Sequence, residues 1–347
     1  MIYLDNASMQ KPLQCAVDAF LAAPTYNPNS GHIAGLEARR ALEKAREDIA
    51  ECLGLAEDDE LYFPSCASEA AAWVLGTFEE CCHSIWRRSS NHHCVTGYPY
   101  TSTLLYESVA AELSAPNGFV DILINNETGE INNEFQSLKE KPNDLLCLDA
   151  TAAIGHGFVD PAYPYFDYLF GSAQKFGGIP GVGILVVKKG APLSWHREGT
   201  PPVGLICAMA AALKWQTERI EENALRVKGL NERMREILGA KFTTTLDAED
   251  GNDIEKVSPY ILSGRFEGVP AEALVAAASS QGVCISAGAA CSTGVLEPSP
   301  ALLASGLTKE EAMQTIRISF SHENTMQEVE KAGKIIRECA KSLRTLG

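Results

Sequence analysis

The chain has 347 residues, 46% hydrophobic and 21% charged, an ordinary globular mixture with room for two sizeable cores. A net charge of −16 argues against a nucleic-acid partner, because a phosphate backbone requires a basic surface. No run approaches the roughly 20 apolar residues of a membrane span, and the opening Met-Ile-Tyr-Leu-Asp-Asn-Ala-Ser lacks the basic and apolar segments of a signal peptide.

Eleven cysteines are scattered, odd in number and free of Cys-x-x-Cys, which points to reduced thiols in a cytoplasmic protein rather than a disulfide framework. Cys81-Cys82-His83 is the one dense cluster, and no second ligand pair stands at zinc spacing from it.

In chain order, Ile2-Tyr-Leu4 is a short apolar segment and Asn27-Pro-Asn-Ser-Gly-His32 a turn-rich loop. Leu42, Ala45, Ile49 and Leu53 share one helical face that ends at Gly54. Glu60-Leu-Tyr-Phe-Pro64 reads as a strand, Ser65-Cys-Ala-Ser68 as a small-residue turn, and Glu69 onward as a helix. Strand, small turn and helix start is the geometry of an anion site, although Ser68 can equally be an ordinary N-cap.

Three further apolar runs end in polar residues: residues 120–124 in Asn125-Asn126, residues 145–148 in Asp149-Ala-Thr151, and residues 168–170 in Ser172 and Lys175. Continuous apolar runs are expected of parallel strands buried on both faces, whose ligands sit outside the carboxyl ends. Ser68, Asn126, Asp149, Ser172 and Lys175 therefore converge on one crevice.

A strand is expected from Gly181 to Lys188, and one long helical stretch from about Gly204 to Leu238, with the charged run at 218–222 marking the passage into a second lobe. Beyond it, strands are expected at Tyr260-Ile-Leu-Ser263 and Val283-Cys-Ile-Ser286, and a helix over 271–280. Thr308 with Glu311 and Thr325 with Glu328 have capping-box spacing. The final helix carries Val329, Ala332, Ile336 and Leu343 on one face.

Lys175 beside Asp149 is the telling pair. A lysine in a dry, glycine-lined site has a lowered pKa, as a Schiff-base lysine needs, whereas a surface turn lysine has neither. Pyridoxal phosphate chemistry needs that lysine, a carboxylate at the ring nitrogen and an anion site for the phosphate.

The sequence resembles the NifS/IscS-type cysteine desulfurases of the class V aminotransferase family. The resemblance rests on Ile2-Tyr-Leu-Asp5, Asn27-Pro28 with His32, Phe63-Pro-Ser-Cys-Ala-Ser-Glu69, Asn91-His-His-Cys-Val95 and Asn125-Asn-Glu-Thr-Gly129. It continues through Asp149-Ala-Thr151, Ser172-Ala-Gln-Lys175, Gly199-Thr200, Gly288-Ala-Ala-Cys291 with Leu296-Glu-Pro-Ser299, and Ile316-Arg-Ile-Ser319.

The resemblance implies an α/β fold-type I architecture: a large domain (residues 12–221) with a mostly parallel seven-stranded sheet flanked by helices, and a smaller α+β domain (residues 1–11 with 222–347) carrying the cysteine loop. It implies pyridoxal 5'-phosphate held covalently by Lys175, with Asp149 at the ring nitrogen and His92 stacked on the ring and moving protons. Ala67, Ser68, Ser172 and Gln174 would hold the phosphate, with Thr200 arriving from the second subunit of a homodimer. Asn126 and Arg317 would bind the carboxylate of L-cysteine, and Cys291 would take its sulfur as a persulfide, leaving alanine, for delivery to an acceptor protein.

The sequence departs from the family at Ala152, where glutamine is usual, at Gln174, where histidine is usual, and at Cys66, where glycine is usual. It is also shortened between His92 and Asn125 and before Gly199. Selenocysteine lyase, or another pyridoxal-phosphate lyase, is the alternative activity. A degenerate scaffold homologue is the alternative of another class, opposed by the joint retention of Lys175, Asp149, His92, Cys291 and Arg317.

Overall fold

The computed structural model describes residues 1–82, 84–87, 104–107, 116–132, 143–157, 166–194, 196, 199–246, 256–290 and 297–345, of which 84–87, 104–107 and 289–290 are described by backbone alone. The order begins β1 (Ile2–Tyr3), α1 (Gln14–Ala22), α2 (Ile33–Leu53), β2 (Glu60–Tyr62), α3 (Ala67–Cys81), β3 (Ser84–Arg87), β4 (Leu104–Glu107), β5 (Asn117–Ile122), β6 (Leu145–Asp149), β7 (Tyr168–Ser172) and β8 (Gly183–Val187). It continues with α4 (Val203–Thr217), α5 (Ile220–Leu238), β9 (Phe242–Thr244), β10 (Ile261–Phe266), α6 (Ala271–Ser280), β11 (Val283–Cys284) and β12 (Ser286–Ala287). Last come β13 (Ala289–Ala290), β14 (Glu297–Pro298), α7 (Pro300–Ala304), α8 (Lys309–Gln314), β15 (Thr315–Ser319) and α9 (Met326–Arg344).

Seven strands form the central sheet in the order β2-β8-β7-β6-β5-β3-β4. Pairing is parallel between β7, β6, β5 and β3; β8 runs against both of its neighbours and β4 against β3. β2 thus points the same way as the parallel block.

The apolar runs have a direct cause. Along β6, Leu145 and Cys147 pack with Trp73, Val74 and Phe78 of α3, while Leu146 and Leu148 join the core on the opposite face. Tyr168 and Phe170 of β7, and Leu185 and Val187 of β8, also face α3, with Leu169, Ile184 and Val186 facing the other way. A strand covered on both sides shows no polar alternation.

A second, antiparallel sheet runs β12-β15-β10-β9, with α6 and α9 packed against its elements. β1 joins β11 in parallel, and Asp5 bridges to Ser319 at the end of β15. The first residues of the chain are therefore laid against its last strands.

Several helix ends follow from local chemistry. α2 starts where the His32 ring accepts from the Gly35 amide (3.2 Å) and stops at Gly54, left-handed at φ 60°. Both expected capping boxes form, at Thr308/Glu311 and Thr325/Glu328.

The single helix expected from about Gly204 to Leu238 is instead two, α4 and α5, broken at Glu218 and Arg219. Gln216 donates to the Phe176 carbonyl (3.1 Å) and accepts from the Asn223 amide (3.1 Å), and the Arg219 guanidinium lies over Trp215. The strand expected from Val283 to Ser286 also divides, β11 and β12 joining different partners.

Candidate active site

The carboxyl ends of β5, β6 and β7 lie at one edge of the sheet, which brings Asn126, Asp149 and Lys175 around one small cavity. Ala7, Ile122, Ile124, Thr151 and Ala152 complete its lining. Asp149 is wholly buried at the end of β6, and one carboxylate oxygen accepts from the Thr151 amide (2.9 Å).

Lys175 ends a single 3-10 turn that follows β7. Its Nζ donates to the carbonyls of Ala7 (2.8 Å) and Ser8 (2.7 Å). Burial first, and then the nearby Arg317 charge, lowers its pKa to about 8, while Asp149 and Asp5 oppose the shift. The lysine is thus much easier to deprotonate near neutral pH than an exposed one.

Arg317 projects from β15. Nη1 donates to the Asn126 carbonyl (2.9 Å), and Nη2 to Asp5 (2.8 Å) and more weakly to Ser286 (3.4 Å). Its Nε is buried without a partner among the described residues. Beside it, burial pushes the Glu127 carboxyl up, opposed by a hydrogen bond from Ser299 and by the Arg317 charge.

The anion turn stands on the same sheet edge. Ser65 donates through both its amide (2.6 Å) and its hydroxyl (2.7 Å) to Glu69, which fixes the turn leading into α3. Ser172 pairs with Gly183 across β7 and β8, so the two residues face the same side. A Cβ at Gly183 would lie 2.9 Å from the Cys66 carbonyl carbon. The Ser172 hydroxyl, buried and without a partner, is therefore directed toward the side where α3 begins.

Among the expected residues, Lys175, Asp149 and Asn126 share the cavity, with Arg317 joined to it through the Asn126 carbonyl. Ala67, at the start of α3, and Ser172 sit on the side of the expected anion turn, and Ser68 follows Ala67 in the first turn. Gln174 is half-buried, and its carbonyl accepts from the Gln10 amide (2.9 Å). Thr200 does not line the Lys175 cavity; it is exposed in grooves that include Tyr62, Phe63, Trp73 and His196 on one side and Phe20, Tyr26 and Pro201 on the other. His92 and Cys291 lie outside the described residues.

The cluster at Cys81 and Cys82 has its sulfurs 3.7 Å apart, and His83 lies outside the described residues. Among the described residues no cluster of histidine, cysteine and carboxylate side chains could hold a metal, and no helix is long and apolar enough to cross a membrane. Asp5, Thr151, Ser286 and Glu127 were not singled out from the sequence as site groups. Asp5, Glu127 and Thr151 do stand inside motifs that were, which is the signal that could have found them.

An amine of lowered pKa and a buried carboxylate around one cavity, with an anion turn on the same sheet edge, are the parts that a lysine-anchored cofactor would need. The chain belongs to the class-V aminotransferase family, whose profile matches residues 119–332. It is 28% identical over its full length to a cysteine desulfurase of Frankia sp. (strain EuIK1), covering 93% of that protein. It is likewise 28% identical to the cysteine desulfurase IscS of Methanosarcina thermophila, over 99% of this chain and 93% of that one. A solved NifS-like protein superposes with a TM-score of 0.82 at 26% identity, covering 99% of this chain and all of the other.

The architecture is that of the fold-type I pyridoxal 5'-phosphate enzymes, and the family's cofactor is pyridoxal 5'-phosphate. The residues present fit it. Lys175 and Asp149 face one cavity, and the orphaned Ser172 hydroxyl points to a helix start that only a glycine at position 183 allows so close.

Proposed function

We propose that this protein is a pyridoxal-phosphate-dependent cysteine desulfurase that converts L-cysteine to L-alanine and holds the sulfur as a persulfide on Cys291. The observation that carries the reading is Lys175, of lowered pKa, facing the cavity of Asp149 and Asn126 with Arg317 beside it. Names and near full-length coverage of the relatives supply the reaction type.

When bound, pyridoxal 5'-phosphate supplies an electron sink for the bonds at the substrate's Cα. Asp149 sets the charge at the ring nitrogen, while Ala67, Ser68, Ser172 and Gln174 hold the phosphate. Arg317, with an unpartnered Nε, and Asn126 grip the substrate carboxylate. Lys175, once deprotonated, takes and returns the Cα proton, a task suited to an amine whose pKa lies near 8. His92 serves protons at the ring face. The Cys291 thiolate attacks the substrate sulfur: an S–S bond forms, the Cβ–S bond breaks, and protonation of the carbon fragment gives alanine.

We assign residues 12–221 to the cofactor-binding domain, and residues 1–11 with 222–347 to the domain carrying Cys291. A homodimer is supported by the exposed Phe20, Leu21 and Tyr26 beside Thr200, Pro201 and Pro202, which leave Thr200 available to a partner's phosphate site. The protein is cytoplasmic in this reading and passes its sulfur to an acceptor protein.

The purified protein with L-cysteine and a reductant should release alanine and sulfide in equal amounts. Cys291→Ala should retain the yellow cofactor and lose both products. Full activity in that variant would refute the persulfide step.

A further inference from the structure

The cavity at Lys175 contains one group that neither the fold nor the roles above employ. Thr151 is buried, its hydroxyl has no hydrogen-bond partner, and it is the one hydroxyl-bearing side chain lining the cavity among the described residues. Its backbone amide is already used, donating to Asp149. A buried hydroxyl left unbonded weakens a fold. An unsatisfied donor that faces a cavity between an amine and a carboxylate is a group awaiting a ligand atom.

Ala152, the next residue, also lines the cavity and brings no polar atom. Pyridoxal phosphate offers polar groups of four kinds: the aldehyde, which Lys175 would take up, the ring nitrogen, the phosphate and the ring hydroxyl. Asp149 accounts for the nitrogen, and the Ser172 side of the sheet edge for the phosphate. The ring hydroxyl is left, and Thr151 is the unsatisfied hydroxyl among the cavity residues.

We propose that the Thr151 hydroxyl is a cofactor-contacting group that hydrogen-bonds the ring hydroxyl oxygen of pyridoxal phosphate, the contact that Ala152 cannot make. The inference rests on the cofactor reading given above. It concerns binding and spectral tuning rather than the identity of the amino-acid substrate. A donor at that oxygen favours its ionised form, so its removal raises the pH at which the visible absorption changes.

The test uses the full-length, cofactor-loaded protein with Thr151→Val, Thr151→Ser and Ala152→Gln. Affinity for pyridoxal 5'-phosphate is read by titration and the visible band is followed against pH. Thr151→Val should weaken binding about five- to tenfold and move the midpoint of the band to higher pH, with Thr151→Ser near wild type. In the Ala152→Gln background the same valine substitution should lose most of its effect, since the amide then serves the same oxygen.

Thr151→Val with wild-type affinity and spectrum, and raised thermal stability, would overturn the proposal and mark the hydroxyl as a structural orphan. Equal effects in both backgrounds would overturn the shared-oxygen assignment. A wild-type chain that binds no pyridoxal phosphate fails the cofactor reading itself. A yellow wild type with an unchanged valine variant fails this inference alone.

Discussion

Gly183→Ala isolates the close approach between β8 and the start of α3. Gly183 lies in β8 opposite Ser172, and an added Cβ would sit 2.9 Å from the Cys66 carbonyl carbon and 2.9 Å from the Gly171 oxygen. Both obstacles are backbone, so no rotamer change relieves them. Ordinary contact begins near 3.4 Å, so the start of α3 must retreat by about half an ångström. Overpacking of this kind costs about 1–3 kcal/mol, while the loss of glycine's freedom in the unfolded chain returns about 0.4–1 kcal/mol. The net expectation is a loss of about 1–2 kcal/mol, with weaker cofactor binding because Ser172 and the α3 amides separate. Gly229, inside α5 with open space where its Cβ would be, is the control. Gly229→Ala should stabilise by about 0.5–1 kcal/mol and leave binding unchanged. Urea denaturation and cofactor titration of both variants give the answer. Wild-type stability and affinity in Gly183→Ala would refute the close-approach argument.

Lys175→Met should gain stability at pH 7. The wild-type penalty for burying the ammonium, about 3 kcal/mol, holds below pH 8 and is relieved between about 8 and 10.5, where the unfolded chain keeps its proton and the folded one does not. The carbonyls of Ala7 and Ser8 lose their donor at about 1 kcal/mol each, leaving a net gain of about 1 kcal/mol; a less stable variant would contradict the shift. His156, pushed down to about 4 mainly by burial and packed at a tilt with its centroid 4.2 Å from that of the Tyr260 ring, stays neutral in the fold while the unfolded chain protonates near 6.5. Stability should therefore fall by up to about 3 kcal/mol as pH drops from 6.5 toward 4, and His156→Phe should flatten that slope in denaturation measured across the range. Asp5→Asn should cost about 2 kcal/mol by stripping Arg317 of its 2.8 Å partner, and should lower the Lys175 pKa further, since Asp5 supports the ammonium. The pH dependence of Lys175 labelling by an amine-selective reagent reads the second effect.

Asp149 and Lys175 were legible because each closes an apolar run, and the run itself announces a strand buried on both faces. The direction of a strand leaves no such trace: Ile184 to Val187 reads alike in parallel or antiparallel pairing, so the reversal of β8 was invisible. The break after Thr217 was hidden because apolar positions continue on both sides, and the Gln216–Asn223 and Gln216–Phe176 bonds that hold it are tertiary. Arg317 could be named, but its pairing with Asp5 spans 312 positions and no local pattern encodes it. Thr151 stands in the Asp149-Ala-Thr151 motif with no role attached, and its burial without a partner, a tertiary fact, is what distinguishes its hydroxyl.

The contact of residues 2–8 with β11, β15 and Lys175 also bears on the order in which the site is assembled during synthesis. The carbonyls that hold Lys175 belong to residues 7 and 8, whose neighbours are pinned by Cys284 and Ser319. A nascent chain on the ribosome can complete the central sheet through Val187 while its earliest segment is still unanchored. Only when β15 has emerged can Asp5 reach Arg317 and the carbonyls close over the lysine, a closure across 312 positions. The contacts around Lys175 are thereby complete only once the chain has been made through β15.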